Sequence, residues 1–157
     1  MSFAIRRARP ADVPGMSAVL TASITQLCAA DHGGDPHAVA AWTRNKSEEA
    51  VAGMLANPDQ QLFVAERAMG VVAVGAVTTD GTVSLNYVAP TARFAGISSA
   101  MLARLELALV ELGHHEGRLE STRTAQAFYL ARGWLPDGPQ AEGRMVNGYP
   151  MRKLLRL

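Results

Sequence analysis

Three β-rich runs follow one another closely in the middle of the chain, and this feature limits the possible folds most. They cover residues 62–66, 71–77 and 83–88, and only the short turns Met69-Gly70 and Asp80-Gly81 separate them. Turns of this length join antiparallel strands, because a parallel neighbour needs a crossover of a dozen or more residues. The middle of the chain therefore predicts an antiparallel meander.

Helical periodicity flanks the meander on both sides. Apolar residues recur at helical spacing from Val13 to Leu27 and again across residues 98–112, which Gly113 terminates. Shorter helices are predicted at residues 38–42, 48–56 and 124–131, with Ser47 as an N-cap, and further strands at residues 3–8, 117–121 and 149–155. This order predicts an α/β fold with a mixed, mostly antiparallel central sheet flanked by helices.

Composition limits the number of domains and the kinds of partner. The 157 residues, 48% of them hydrophobic, match one domain over residues 3–157, with no repeat or linker to divide it. The net charge of +1 lacks the excess that nucleic acid or an anionic membrane would attract. No apolar run is long enough to span a bilayer and the N-terminus lacks signal-peptide features, so we expect a soluble cytoplasmic protein.

Neither a disulfide framework nor a metal site is predicted. Cys28 is the single cysteine and lies in an apolar segment, where a buried structural thiol is expected. His114, His115 and Glu116 are consecutive, and neighbouring residues in a turn cannot easily converge on one ion.

A turn of small residues directly precedes the helix predicted at residues 98–112. Gly96, Ser98 and Ser99 leave the backbone accessible where a helix start presents free N–H groups and the positive end of its dipole. Such a turn lets a phosphate approach closely, but an ordinary helix cap has the same local sequence. The G-K-[ST] of a nucleotide-triphosphate loop is absent from the turn.

The surrounding sequence resembles a known family. The segments that carry the resemblance are Tyr87-Val88-Ala89-Pro90, Arg93-x-x-Gly96-x-Ser98 and Ala125-x-x-Phe128-Tyr129-x-x-x-Gly133-Trp134. They resemble the GCN5-related N-acetyltransferases (GNAT), and the order of elements is similar over nearly the whole chain. The resemblance implies a GNAT fold and transfer of an acetyl group from acetyl-coenzyme A to a primary amine of a small molecule or peptide.

The resemblance also implies where the acyl donor binds. In the family, backbone N–H groups of the turn hold the coenzyme pyrophosphate, which here implicates Arg93, Phe94, Ala95, Gly96, Ile97, Ser98 and Ser99. Phe94 and Ser98 depart from the usual pattern, because Phe94 is neither small nor basic and Ser98 stands where glycine or alanine is usual. Thr124, where the family often has asparagine, is a further expected coenzyme contact.

Two catalytic roles follow from the resemblance. Tyr129 corresponds to the acid that protonates the departing thiolate, and the backbone N–H of Val88 corresponds to a donor that binds the pantetheine and the developing oxyanion. The alternative is that Phe128 and Tyr129 are adjacent helix aromatics and Val88 is an ordinary strand residue.

The base and the acceptor are less well specified by the sequence. Glu120, Asp31 and His32 are candidates to deprotonate the amine, and none is favoured. The segment 23–42, with Trp42, is expected to form the acceptor wall. Two other functions stay open, namely a non-catalytic acyl-coenzyme A binding module and a fold that lost the coenzyme and acts through a homodimer interface.

Overall fold

The computed structural model describes residues 2–140 and 148–155. Its larger sheet has four antiparallel strands in the order β1-β2-β3-β4. The strands are β1 (Ala4–Arg7), β2 (Gln60–Arg67), β3 (Gly70–Thr78) and β4 (Val83–Val88). The tight turns place glycines at positive φ, 125° at Gly70 and 100° at Gly81, a conformation that glycine adopts most readily. The predicted meander is confirmed as β2, β3 and β4.

A second sheet has three strands in the order β5-β7-β6. They are β5 (Glu116–Ser121), β6 (Leu135–Pro136) and β7 (Tyr149–Leu154). One parallel bridge, between Thr82 and Arg118, joins the two sheets within the described residues. The Arg118 amide N–H donates to the Gly81 carbonyl at 3.0 Å, and its guanidinium donates to the Asp80 carbonyl at 3.0 Å. These bonds fix the start of β5 beside the start of β4.

Helices cover both faces of the larger sheet. They are α1 (Val13–Leu27), α2 (Ala29–His32), α3 (Pro36–Thr43), α4 (Glu48–Ala56), α5 (Ile97–Glu111) and α6 (Gln126–Leu130). Successive side chains of β3 point to opposite faces of the sheet and so pack in two different cores. Val74 packs in the cluster beneath α1 and α4, and Ala73 packs in the cluster beneath α5. Among the described residues, no helix is long and apolar enough to cross a membrane.

Gly75 sets how closely α5 approaches the sheet. A Cβ at this position would lie 2.7 Å from the Met101 sulfur and 3.0 Å from a Leu105 methyl carbon. Met101 and Leu105 are both fully buried, and each such side chain stabilises the fold by about 1.5–3 kcal/mol. The close contact holds the start of α5 next to the end of β4.

Two elements are missing from the sequence prediction, and a third has different bounds. Residues 29–32 form the short helix α2, where a loop was expected, and β6 is a two-residue strand that no periodicity could reveal. The helix predicted at residues 124–131 is shorter, at Gln126–Leu130. The mixed, mostly antiparallel α/β architecture flanked by helices is confirmed.

Candidate active site

The ends of β4 and β5 border a gap between the two sheets. Beyond the Thr82–Arg118 bridge, β4 pairs only with β3 among the described strands, through Asn86, Tyr87 and Val88. The opposite edge of these three residues therefore lies without a strand partner in the described part of the chain. An unpaired strand edge can bind an extended ligand as an added strand would.

A cavity of about 480 Å³ lies at the end of β4, next to this gap. Its walls come from the end of α1, the end of β4, the turn before α5, the first residues of α5, and the segment from Thr122 to Arg132 that contains α6. The lining residues that the sequence had singled out are Val88, Arg93, Phe94, Gly96, Ser98, Ser99, Thr124 and Tyr129. Ala95 is exposed and Ile97 is buried in the core, and neither side chain lines the cavity.

The turn leaves the first N–H groups of α5 without an intrahelical partner. Its first hydrogen bond runs from the Ala100 N–H to the Gly96 carbonyl, so the N–H groups of residues 97–99 have no helical acceptor. Gly96 is the N-cap, at φ 77°, and provides no side-chain cap. No acidic residue lies in the first turn. This helix start can therefore receive an anion from outside the chain.

Phe94 has an unusual conformation in the same turn. Its φ is 64°, which costs a bulky residue about 1–2 kcal/mol, and its side chain is 93% exposed. The Arg93 guanidinium lies 4.7 Å from the centre of the Phe94 ring. A cation and an aromatic ring thus stand together at the edge of the cavity.

Tyr129 places a phenol hydroxyl beside the end of β4. The side chain is buried, with ring contacts to Phe128 and Trp134 that fix its orientation. The Asn86 side-chain amide donates a hydrogen bond to the Tyr129 hydroxyl at 3.2 Å, which leaves the hydroxyl proton available for donation. Burial raises the pKa of Tyr129 to about 12, while the Asn86 hydrogen bond acts in the opposite direction. The phenol is therefore protonated at neutral pH.

Arg132 is a cavity residue that the sequence analysis missed. Its guanidinium donates to the Ser99 hydroxyl through Nε at 2.9 Å and through Nη2 at 2.6 Å. It also lies 3.8 Å from the centre of the Phe128 ring. Arg93 and Arg132 are the charged residues among the described ones that line the cavity, and both are cationic. The sequence shows a basic residue within the Phe128–Trp134 motif. It does not show that this residue contacts Ser99, which lies 33 positions away.

The expected acceptor wall is held by internal hydrogen bonds. Asp31 accepts from the Arg123 N–H at 2.6 Å, from the Thr124 N–H at 3.1 Å and from the Thr124 hydroxyl at 2.5 Å. Because the Thr124 hydroxyl donates its single proton to Asp31, it can only accept a hydrogen bond from a ligand in the cavity. Its role as a coenzyme contact stays a prediction.

His32 and Trp42 also have structural partners. The His32 Nδ1 accepts from the Gly34 N–H at 2.9 Å, so Nε2 carries the proton and donates to the Ile24 carbonyl at 2.8 Å. Trp42 is buried against Ile24 and Cys28 and does not line the cavity. Both residues support the wall from behind.

Cys28 reaches the cavity as a neutral thiol. It is buried, and burial together with the nearby charge of Asp31 raises its pKa to about 12. Because the thiolate is the reactive form, Cys28 is a poor nucleophile at neutral pH.

Glu120 lies on the other side of the gap. It lines a smaller cavity of about 50 Å³, which shares Asn86, Tyr87 and Tyr129 with the larger one. Within the described residues, no group of three or more potential ligands could hold a metal ion. His114, which the sequence analysis considered, instead bonds the Thr79 carbonyl at 2.9 Å.

Known proteins share this architecture. The acetyltransferase (GNAT) domain matches residues 19–155. No curated protein matches the chain significantly.

Three solved structures illustrate the shared fold. A GCN5-related N-acetyltransferase from Rhodopseudomonas palustris is 21% identical, with a TM-score of 0.86 over 99% of this chain and 97% of that chain. The PaiA N-acetyltransferase from Thermoplasma acidophilum, solved with coenzyme A, is 19% identical, with a TM-score of 0.82 over 98% and 99%. Ard1 from Thermoplasma volcanium is 16% identical, with a TM-score of 0.73 over 100% of both chains.

Proposed function

The chain belongs to the GCN5-related N-acetyltransferase family, and from that premise we propose that it acetylates a primary amine of a small molecule or peptide with acetyl-coenzyme A as donor. One observation carries the proposal. A single cavity contains the uncapped start of α5, the edge of β4 that has no strand partner among the described residues, and the Tyr129 hydroxyl. These are the three parts that a phosphate-bearing thioester needs, since its anion, its amide chain and its leaving group each find a suitable partner.

The donor is proposed to bind along the cavity from the turn to the gap. The N–H groups of residues 97–99 and the positive end of α5 favour the pyrophosphate, and Arg93 adds a positive charge. The pantetheine amides would then pair with the edge of Asn86, Tyr87 and Val88. This arrangement brings the thioester to Tyr129.

The reaction is proposed as direct attack of the amine on the thioester carbonyl. A C–N bond forms while the Val88 N–H stabilises the oxyanion, and collapse then breaks the C–S bond. Tyr129 gives its proton to the departing sulfur. With a pKa of about 12 against roughly 8.5 for a thiol, complete transfer is uphill, so it must accompany C–S cleavage. Asn86 supports the step because its amide donates to the phenol oxygen as negative charge develops there.

The amine must lose a proton before it attacks. Asp31 and His32 have their polar atoms engaged in the hydrogen bonds of the wall, which disfavours both as the base. We propose Glu120 as the base, because the cavity that it lines also reaches Tyr129. We expect Glu120→Gln to lower kcat at neutral pH. Part of the lost kcat should return at high pH, where more of the amine is already neutral. An unchanged pH profile would remove Glu120 from the mechanism.

The test of the catalytic proposal is Tyr129→Phe, assayed by thiol release from acetyl-coenzyme A with a panel of polyamines, amino acids, aminoglycosides and peptides. Loss of the acid should lower kcat about 100-fold or more, while the dissociation constant of acetyl-coenzyme A changes less than about threefold. Tyr149→Phe is the matched control, because it also removes a phenol hydroxyl but lies outside the cavity lining.

Each other outcome has a definite meaning. An unchanged kcat in Tyr129→Phe would remove Tyr129 from the mechanism. Tight binding of acetyl-coenzyme A by the wild type, with no thiol release for any amine class, would instead support a non-catalytic acyl-coenzyme A binding module.

A further inference from the structure

Arg132 places a positive charge at the start of α5, where the helix dipole disfavours a cation. Two of its nitrogens donate to the hydroxyl of Ser99, which lies in the first turn of α5. The start of a helix carries partial positive charge, so a cation there is unfavourable and an anion is favourable. The described chain supplies no carboxylate to this guanidinium, in contrast to Arg6, which Asp12 and Glu66 neutralise.

The position of Arg132 is fixed by its other contacts. Nη1 donates to the Phe128 carbonyl at 2.8 Å, and the guanidinium stacks on the Phe128 ring. The Arg132 carbonyl accepts from the Lys153 ammonium at 2.8 Å. Three of the five guanidinium N–H groups are used in this way, and two are left to bind a ligand. The side chain is therefore held in place before any ligand arrives.

Ser99 is prepared by the same contact. Its oxygen accepts both guanidinium hydrogen bonds, which leaves the single hydroxyl proton for donation. A hydroxyl donor, a guanidinium and the free N–H groups of α5 then lie together at one end of the cavity. This set of donors suits an oxyanion with several oxygens and more than one negative charge.

We propose that Arg132 binds the pyrophosphate of the acyl donor directly and orients Ser99 as a second donor to it. The inference rests on the proposed function, since it names a further binding residue of the same site. Arg132 is a binding residue and takes no part in proton transfer. It would add a second full positive charge to that of Arg93.

The experiment compares the binding of three donors by calorimetry, which are acetyl-coenzyme A, its form without the 3′-phosphate, and acetyl-pantetheine, which has no phosphate. Arg132→Gln should weaken the first two about 10- to 100-fold, because hydrogen bonds to charged groups are lost, and should change the third less than about twofold. Arg123→Gln is the matched control. It removes the same charge from an exposed residue of the same segment that does not line the cavity, and should leave all three affinities unchanged.

Arg132→Lys guards against a folding defect, because it keeps the charge while losing the planar fork. Unfolding of each variant without ligand confirms the native state, and Arg132→Lys should recover part of the affinity that Arg132→Gln loses for the two phosphate-bearing donors. Equal losses for all three donors would assign Arg132 a structural role and overturn the inference. A loss confined to the donor with the 3′-phosphate would also overturn the pyrophosphate assignment.

The two proposals can fail separately. If acetyl-coenzyme A binds the wild type and Arg132→Gln equally well, the inference is overturned and the proposed function stands. If the wild type binds none of the three donors, the proposed function fails and the inference fails with it.

Discussion

The helices α4 and α5 begin in opposite ways. At α4 the Ser47 hydroxyl accepts from the Ala50 N–H at 3.1 Å, and Glu48 and Glu49 place two carboxylates in the first turn. Every feature that stabilises a helix start is supplied within the segment itself.

The start of α5 lacks all of these features. Gly96 offers no side chain, no acidic residue lies in the first turn, and Arg132 adds a positive charge by bonding Ser99. We infer that the two helix starts serve different purposes. The start of α4 is completed within the chain, and under the proposed function the start of α5 is completed by an anion of the acyl donor. Substitutions that exchange these features test this interpretation.

The largest effect is expected from closing the turn before α5. Gly96→Trp should abolish the stabilisation by acetyl-coenzyme A in thermal unfolding, with affinity lower by about 100-fold or more, because the indole occupies the cavity beside the free N–H groups. Gly34→Trp is the control for backbone strain, because φ is 74° at Gly34 and 77° at Gly96. At both glycines, no atom lies within 4 Å of the position that a Cβ would take. Stabilisation that survives in Gly96→Trp would separate the coenzyme site from this turn.

The turn Pro10–Asp12, which leads directly into α1, should be sensitive to acid. The Asp12 carboxylate accepts from the Arg9 N–H at 2.7 Å and pairs with Arg6 at 2.8 Å. Asp12→Asn should therefore lower the free energy of unfolding by about 2 kcal/mol at pH 7. No change in acetyl-coenzyme A affinity is expected, because Asp12 lies outside the cavity lining.

The pH dependence of this effect follows from the Asp12 pKa. Hydrogen bonds from Arg6 hold that pKa below its ordinary value, so the carboxylate stabilises the native state fully above about pH 4. The contribution is lost as the pH falls through the folded pKa. Urea unfolding at several pH values should show the difference between wild type and Asp12→Asn shrinking toward acid. A difference independent of pH would mean that the ion pair is not its source.

An acidic residue in the first turn of α5, like those in α4, should raise the stability of the protein and weaken its binding of the donor. Ser98→Asp places a carboxylate near the free N–H groups, which should raise the free energy of unfolding by about 0.5 kcal/mol without ligand. The same charge repels phosphate, so acetyl-coenzyme A affinity should fall about tenfold, equivalent to about 1.4 kcal/mol. Ser98→Asn is the neutral control of similar shape. Higher stability with undiminished affinity would contradict the role of this turn.

The smallest effect is expected from removing the cap of α4. Ser47→Ala should lower the free energy of unfolding by about 1 kcal/mol, because one N–H loses its acceptor. Acetyl-coenzyme A affinity should be the same as in the wild type. A change in affinity would show that α4 and the site are coupled and would weaken the comparison.

Local signals explain which parts of the fold the sequence could predict. Residues 83–88 and 48–56 are observed as β4 and α4 with the predicted bounds, and Ser47 caps α4 as expected. Alternation, helical spacing and capping act within a few residues, so they can be read from the chain. The two-residue strand β6 has no such period, and its pairing with β7 depends on the fold.

The candidate site divides in the same way. The turn with Gly96 and the Tyr129 motif were visible in the sequence, because their residue types are set by local geometry and by the family resemblance. The contacts of Ser99 with Arg132 and of Asp31 with Thr124 join residues 33 and 93 positions apart. One sequence contains no signal for such pairs, since they arise only when packing brings distant elements together.

If the acyl donor completes the start of α5, its binding must change the environment of the first backbone amides of that helix and leave those of α4 unchanged. Amide chemical shifts measured during titration with acetyl-coenzyme A report on both helix starts in one experiment. We expect large shifts for the N–H groups of Ile97, Ser98 and Ser99 and none for those of Glu48, Glu49 and Ala50. Saturable binding that leaves the three α5 amides unmoved would contradict this expectation.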